Sequence, residues 1–354
     1  MNAPIIIPTL NRYEHLKRCI ESLKRNKQAC DTELYISVDY PPTEKYRMGY
    51  EKVKEYLKTD GVTGFKDVFI YYQEENLGPG ENACFLRRQV YQKYDCFIFS
   101  EDDNEFSSNF LEYINKGLEI FREDKDILAI CGYRNDKPWV FKQGNVAKVD
   151  LFHAWGYATW RDKIEECIDW ICRDNFIALM KDSDFCKKLY KNRYKLFCNL
   201  VDALLANPSD CSSVYIDKKG DICEIDYTIA IYLAAYKKYV IIPRISKVRN
   251  WGYDGSGVNC GRINSMNPEK MHIDGENNFD YCIPIPFEMS DDNSKILIEK
   301  EYEKMLPRAR FYMCIMKLFG IPIARKLNNA LYLRKEIMRK QKYKIYKKEK
   351  RQYE

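Results

Sequence analysis

The chain has 354 residues, 45% hydrophobic and 31% charged, the balance of an ordinary soluble protein long enough for one large domain or two. No apolar run reaches the ~18 residues needed to span a bilayer, and three histidines (His15, His153, His272) disfavour a histidine-rich zinc site. The formal charge of +6 is uneven: residues 308–354 hold 15 Lys/Arg against 3 Glu, a net of +12, which leaves the rest of the chain at −6.

Met1 to Pro4 lead straight into Ile5-Ile6-Ile7, with no basic segment, signal-peptide core or cleavage site. The 14 cysteines contain no Cys-x-x-Cys pair, so reduced thiols and a cytoplasmic location are expected. The 28 tyrosines suit stacking on sugars or bases, and biased genomic composition explains them equally well.

Ala3 to Pro8 reads as a first strand, followed by a Thr9–Arg12 turn and a helix over Glu14–Asn26 with Leu16, Cys19, Ile20 and Leu23 on one face. Leu34–Val38 is a second strand delivering Asp39, and a charged helix covers 43–58. Asp67–Gln73 alternates as a third strand. Glu75-Asn76-Leu77-Gly78-Pro79-Gly80 is a loop, and a helix runs from Glu81 to Tyr94.

Cys96–Phe99 is an apolar run too short for a helix, and it ends in Glu101-Asp102-Asp103. Alternation along an extended segment would put Glu101 and Asp103 on one side and Asp102 on the other. Clustered carboxylates suit a hard divalent cation; the plainer reading is a solvated acidic turn capping the next helix. Beyond lie a helix over 110–122, a strand over Ile127–Cys131, mostly helix over 170–205, and a helix opened by Glu224-Ile225-Asp226-Tyr227. A strand at Tyr239–Pro243 and a glycine-rich loop over 249–260, able to fold over a ligand, complete the body.

Strands alternating with helices imply an α/β fold with a parallel, doubly wound sheet. Four strand ends carry polar residues (Thr9, Asn11 and Arg12; Asp39; Asn76; Glu101 to Asp103), which points to a nucleotide cleft at the carboxyl edge. Neither a Gly-x-Gly-x-x-Gly after the first strand nor a Gly-Lys-Ser/Thr loop is present, which removes support for dinucleotide oxidoreductases and P-loop NTPases.

Four blocks together resemble the GT-A nucleotide-sugar glycosyltransferases, in the family 2-like branch with a Glu-Asp-Asp metal motif. They are Glu75–Gly78, Phe97–Asp103, Trp155–Arg161, and Asn250-Trp251-Gly252 with Gly255–Val258. The last resembles a loop of bacterial surface-polysaccharide transferases. The likeness covers residues 3 to 275. Tyr157 stands where the family has Trp, and 224–227 matches the family's acidic helix start only in part.

The resemblance implies a mostly parallel GT-A sheet flanked by helices, with 1–104 as the nucleotide-sugar half and 105–290 as the acceptor half; composition alone marks 291–354 as a helical, basic extension. It implies metal-dependent, inverting sugar transfer from a nucleotide diphosphate, UDP foremost, to a glycan or lipid-linked glycan. Asp103 is implied as the ligand of Mn2+ or Mg2+, with Glu101 and Asp102 beside it. Thr9, Asn11, Arg12, Asp39, Asn76 and Gly78 are implied in donor binding, and Trp155 and Gly156 on the acceptor side. Asp226 is implied as the general base. The plainer alternatives are a helix cap for Asp226, a buried structural role for Trp155, structural or surface roles for His153 and His272, and a surface ion pair for Arg249. Rival readings are an inactive sugar-binding or scaffold protein, a sugar-phosphate nucleotidyltransferase, and nucleic-acid binding through the tail, which the acidic body opposes.

In the tail, Pro307 suits a first helical turn, and Phe311, Cys314, Ile315 and Leu318 follow at i, i+3, i+4, i+7 spacing. Gly320-Ile321-Pro322 breaks this helix, and a second begins near Ile323. The stripe either packs on the catalytic domain or lies on an anionic membrane surface.

Overall fold

The computed structural model describes residues 2–58, 62–134, 144–209, 214–257 and 308–331. Val258 to Cys260, His272, Pro307 and the basic run from 332 onward lie outside them. The chain divides into two compact units, Met1–Asp169 with Tyr232–Leu297, and Trp170–Ile231 with Ile298–Glu354.

The first unit alternates strand and helix through its first third: β1 (Ile5–Thr9), α1 (Tyr13–Lys24), β2 (Leu34–Val38), α2 (Arg47–Lys58), β3 (Val68–Tyr72), α3 (Pro79–Val90) and β4 (Cys96–Phe99). Then come β5 (Asn104–Phe106), α4 (Phe110–Ile120), β6 (Ile127–Cys131), β7 (Val146–Val149), β8 (Tyr157–Trp160) and α5 (Arg161–Trp170). An eight-stranded sheet has the order β3-β2-β1-β4-β8-β6-β9-β7, where β9 is Tyr239–Pro243. Its first four strands are parallel. In the other half β8 runs antiparallel between β4 and β6, and β7 antiparallel to β9.

The sheet is therefore mixed and mostly parallel, as expected for the α/β class, with β8 and β7 as its antiparallel members. The reason lies in Tyr157–Trp160, a short run that enters the sheet from a loop and pairs on both sides. Every residue of β8 is buried. Ile5, Ile7, Leu34 and Ile36 from the strands meet Leu16, Ile20 and Val53 from α1 and α2 in one apolar core, with Phe110 and Ile114 of α4.

A separate two-stranded ribbon pairs β5 antiparallel with β10 (Val248–Asn250), matching Asn250 to Asn104 and Arg249 to Glu105. This ribbon carries the glycine-rich loop to the acidic motif.

In the second unit, the expected helical stretch resolves into α6 (Arg173–Lys181), α7 (Ser183–Asn192) and α8 (Tyr194–Leu205). Asp226 opens α9 (Asp226–Tyr236), which continues into the first unit. The tail supplies α10 (Arg308–Phe319) and a further helical stretch over 321–331.

Candidate active site

Pro8 and Thr9 end β1, and the chain turns through Asn11 and Arg12 into α1. β4 is the parallel neighbour of β1, so the residues after Phe99 emerge beside this turn. The Thr9 hydroxyl donates to Asp102 Oδ2 at 2.8 Å. The Arg12 guanidinium forks across the acids, donating from one nitrogen to Asp103 Oδ2 at 2.7 Å and from the other to Asp102 Oδ1. Both acids are nearly inaccessible, at 4% for Asp102 and 6% for Asp103.

This arrangement corrects the expectation that Glu101 and Asp103 share a side while Asp102 points elsewhere. β4 stops at Phe99, and residues 102–103 form a turn rather than extended chain. The alternation rule lapses there, and Asp102 and Asp103 face one guanidinium together. Glu101 is half-buried beside them.

Electrostatics follow from the burial. Desolvation lowers the Arg12 pKa, but the charges of Asp102 and Asp103 outweigh it and hold the guanidinium firmly as a cation. Burial pushes the Asp102 carboxyl above its ordinary value, Arg12 and Thr9 pull it back, and the charge of Asp103 adds to the rise. Two carboxylates sharing one counter-charge behave this way.

The ribbon closes the site from the other side. Asn250 donates its amide to Asp103 Oδ1 at 2.6 Å and to Asn104 Oδ1 at 3.1 Å. The Trp251 N–H donates to the Asp103 carbonyl at 2.8 Å, and its indole N–H to Glu105 Oε2 at 2.9 Å, with Arg18 over the ring at 4.2 Å. His15 Nε2 reaches Asp254 Oδ2 at 3.1 Å, so α1 holds the loop at Trp251 and at Asp254. Gly252 lies against the Asp103 carboxylate so closely that a Cβ would collide with Oδ2. Gly252→Ala is therefore expected to push the loop off Asp103, speeding amide exchange at Trp251 about tenfold while the melting temperature moves by only a few degrees. Hydrogen exchange with a thermal melt would check it.

Asp39 behaves differently from an open acceptor. Its Oδ1 takes the N–H groups of Tyr40 and Leu77, at 2.9 and 2.8 Å, and its Oδ2 takes Gly78 N–H and the Asn76 amide, at 2.9 and 3.1 Å. Four donors fill the four acceptor directions of a carboxylate. Asp39 thus clasps the loop that leads into α3, with Gly78 at φ 80 as the helix cap before Pro79.

Trp155 stands edge-on to Tyr133, centroids 4.5 Å apart, and to Tyr253 of the closing loop at 5.9 Å. Its neighbour Gly156 has φ +65 and packs against Phe106 and Val248, where any Cβ would clash. His153 stacks edge-on to Tyr133, centroids 5.1 Å apart. Asn250, Gly252 and Tyr253 were absent from the expected site residues; the glycine-rich loop flagged their region, but nothing local announces that it pairs back onto residues 104–106. Asp226 opens α9 in the second unit, half-buried.

Among the described residues no group of three or more His, Cys, Asp and Glu is arranged to hold a metal. The acid pair nevertheless fits a hard divalent cation. Its donors are carboxylate oxygens, the Arg12 guanidinium stands in as the positive charge between them, and such ions commonly take one or two carboxylates and complete their shell with phosphate oxygens and water.

Residues 5–180 match the family model described as Glycosyl transferase family 2. Among solved structures, the mannosyltransferase PcManGT from Pyrobaculum calidifontis in complex with GDP-Man and Mn2+ is similar at 13% identity, over 47% of this chain and 46% of its own, with a TM-score of 0.34. S. aureus TarS 1-349 is similar at 13% identity, over 69% and 57%, with a TM-score of 0.35. The same protein in complex with UDP gives 16%, 47%, 48% and 0.33. The chain thus spans about half the length of the structures it matches. No curated protein matches it. Residues 5–180 of this chain are a glycosyl transferase family 2 domain.

Proposed function

We propose that the chain is an inverting glycosyltransferase that moves a hexosyl or N-acetylhexosaminyl group from a nucleotide diphosphate, UDP foremost, to a glycan or lipid-linked glycan. The setting is surface-polysaccharide synthesis, of capsule or lipopolysaccharide, at an anionic inner membrane face, with no nucleic-acid partner. The observation that carries this reading is the buried Asp102–Asp103 pair at the carboxyl edge of the sheet, held by Thr9, Arg12 and Asn250.

Asp103 is proposed as the direct ligand of Mn2+ or Mg2+, with Asp102 and Glu101 positioned for ribose, water or donor sugar. Held there, a divalent ion would supply charge neutralisation for the departing nucleoside diphosphate, worth several kcal/mol in the transition state. Arg12, already directed at anionic oxygens, is suited to pair with phosphate. Thr9 and Asn11 line the base side of the pocket. Asp39 acts through the loop it clasps, fixing Asn76 and Gly78 against the nucleotide.

On the acceptor side, Trp155, fixed by Gly156 and paired with Tyr253, offers an aromatic face for a sugar. Asp226 takes the proton from the acceptor hydroxyl while that oxygen bonds to the anomeric carbon and the bond to the diphosphate breaks; such a base contributes typically ~10²–10⁴-fold.

The test is a panel of nucleotide sugars, assayed for release of nucleoside diphosphate with and without Mn2+ or Mg2+. Cation-dependent release from one donor class is expected. Release from none, with acceptor glycans supplied, would overturn the reading in favour of an inactive sugar-binding protein.

A further inference from the structure

The membrane location proposed above leaves open which surface meets the lipid, and the second unit contains a face suited to it. α10 is apolar on two sides. Ala309, Tyr312, Met313 and Met316 are buried, and α10 packs on α8. Polar contacts fix the docking: Lys317 Nζ donates to Ser183 Oγ at 3.3 Å, Arg325 Nε to the Leu204 carbonyl at 3.0 Å, and Arg308 approaches Asp202 at 3.9 Å.

The opposite side of α10 holds the stripe whose spacing stood out in the sequence. Phe311 is 48% exposed and Leu318 74%, with Cys314 between them also exposed. Phe319 at 58% and Ile323 at 51% extend the patch across the Gly320 break. The apolar stripe is therefore not what packs on α8; the opposite side of the helix does that. Soluble proteins scatter exposed apolar side chains singly, whereas a contiguous set on one helix face marks an interaction surface.

Charge selects the occupant. Residues 308–331 contain five Lys/Arg and no Asp or Glu, and residues 332–354 add ten Lys/Arg against three Glu. Arg310, Lys317 and Lys326 are exposed around the apolar patch. The helical segment 308–331 offers no acid of its own to pair with a protein partner's cations, while an anionic bilayer presents one sign of charge over an apolar layer. No helix among the described residues is long and apolar enough to cross a membrane, so the geometry is that of a helix lying in the headgroup boundary.

We infer that Phe311, Leu318, Phe319 and Ile323 form the lipid-inserting face of this chain, flanked by Arg310 and Lys326 on anionic headgroups. This rests on the proposed membrane location and specifies its surface. The experiment is co-sedimentation of the full chain with vesicles of phosphatidylcholine alone or mixed with phosphatidylglycerol, at low and high salt. The wild type and the Phe311→Ser/Leu318→Ser variant are compared, with melting temperature and donor hydrolysis as controls. Binding to the mixed vesicles at low salt, partial release by high salt, and a fall in partition of about tenfold or more in the variant, controls unchanged, are expected. Wild-type binding that the variant retains in full would assign attachment to another surface while leaving the location intact. Absence of wild-type binding to any vesicle would overturn both face and location, without touching donor hydrolysis. A wild type that self-associates and a variant that is monomeric, with equal vesicle binding, would make the patch a contact between copies and overturn the lipid assignment.

Discussion

Asp103→Ala is expected to lower sugar transfer by about three orders of magnitude or more, because it deletes the proposed ligand of the charge-neutralising ion. That loss is several kcal/mol, at about 1.4 kcal/mol per factor of ten. The same change removes the acceptor of Asn250 Nδ2 and one arm of the Arg12 fork. Asn250 keeps its bond to Asn104 at 3.1 Å, and Trp251 still has the backbone carbonyl of residue 103. The fold should therefore lose no more than about 1–3 kcal/mol. Asp103→Asn separates the two effects: it keeps an oxygen for Asn250 and the side-chain volume but gives up the anion. The expectation is a near-wild-type melting curve with turnover as low as in the alanine variant, and loss of Mn2+-dependent nucleotide binding in both. Wild-type turnover in either variant would dismiss Asp103 as ligand. Turnover retained by Asn but not by Ala would reduce it to a support for the closing loop.

Asp226→Asn tests the proposed base. The substitution preserves size and most hydrogen bonding while removing basicity, and a carboxylate at the start of α9 gains only about 0.3–1 kcal/mol from the helix dipole, so the fold should tolerate it. We expect kcat to fall by about two orders of magnitude with donor affinity unchanged. Donor affinity that collapses together with kcat would make the residue a positioning one, and Glu224 the next candidate.

Legibility from sequence tracked how local each determinant is. Leu34–Val38 and Ile127–Cys131 were read to the residue, since a short run buried at every position carries its own signature. Val146–Val149 and Tyr157–Trp160 were not read as strands: each has four residues, and what makes them strands is pairing with partners far along the chain. The ribbon of Asn104–Phe106 with Val248–Asn250 is shorter still, so the closure of Asn250 over Asp103 was visible only as a glycine-rich loop. Thr9, Arg12 and the two acids were legible because parallel neighbours deliver their ends to one edge. The α10 stripe shows the limit of periodicity: it identifies an apolar face, but a second apolar face at Ala309, Tyr312, Met313 and Met316 is the one that packs on α8.

The Arg12 fork has a bearing on how the chain comes to be folded at all. Domains whose cysteines or acids have no internal counter-charge wait for an ion, and a chelator unfolds them. Here the Arg12 guanidinium, at the start of α1, already supplies the counter-charge of Asp102 and Asp103, so this corner of the fold is expected to form without an ion. A divalent cation bound at Asp103, as proposed, would compete with Arg12 for the acids, and the displaced guanidinium would then be placed to meet a phosphate.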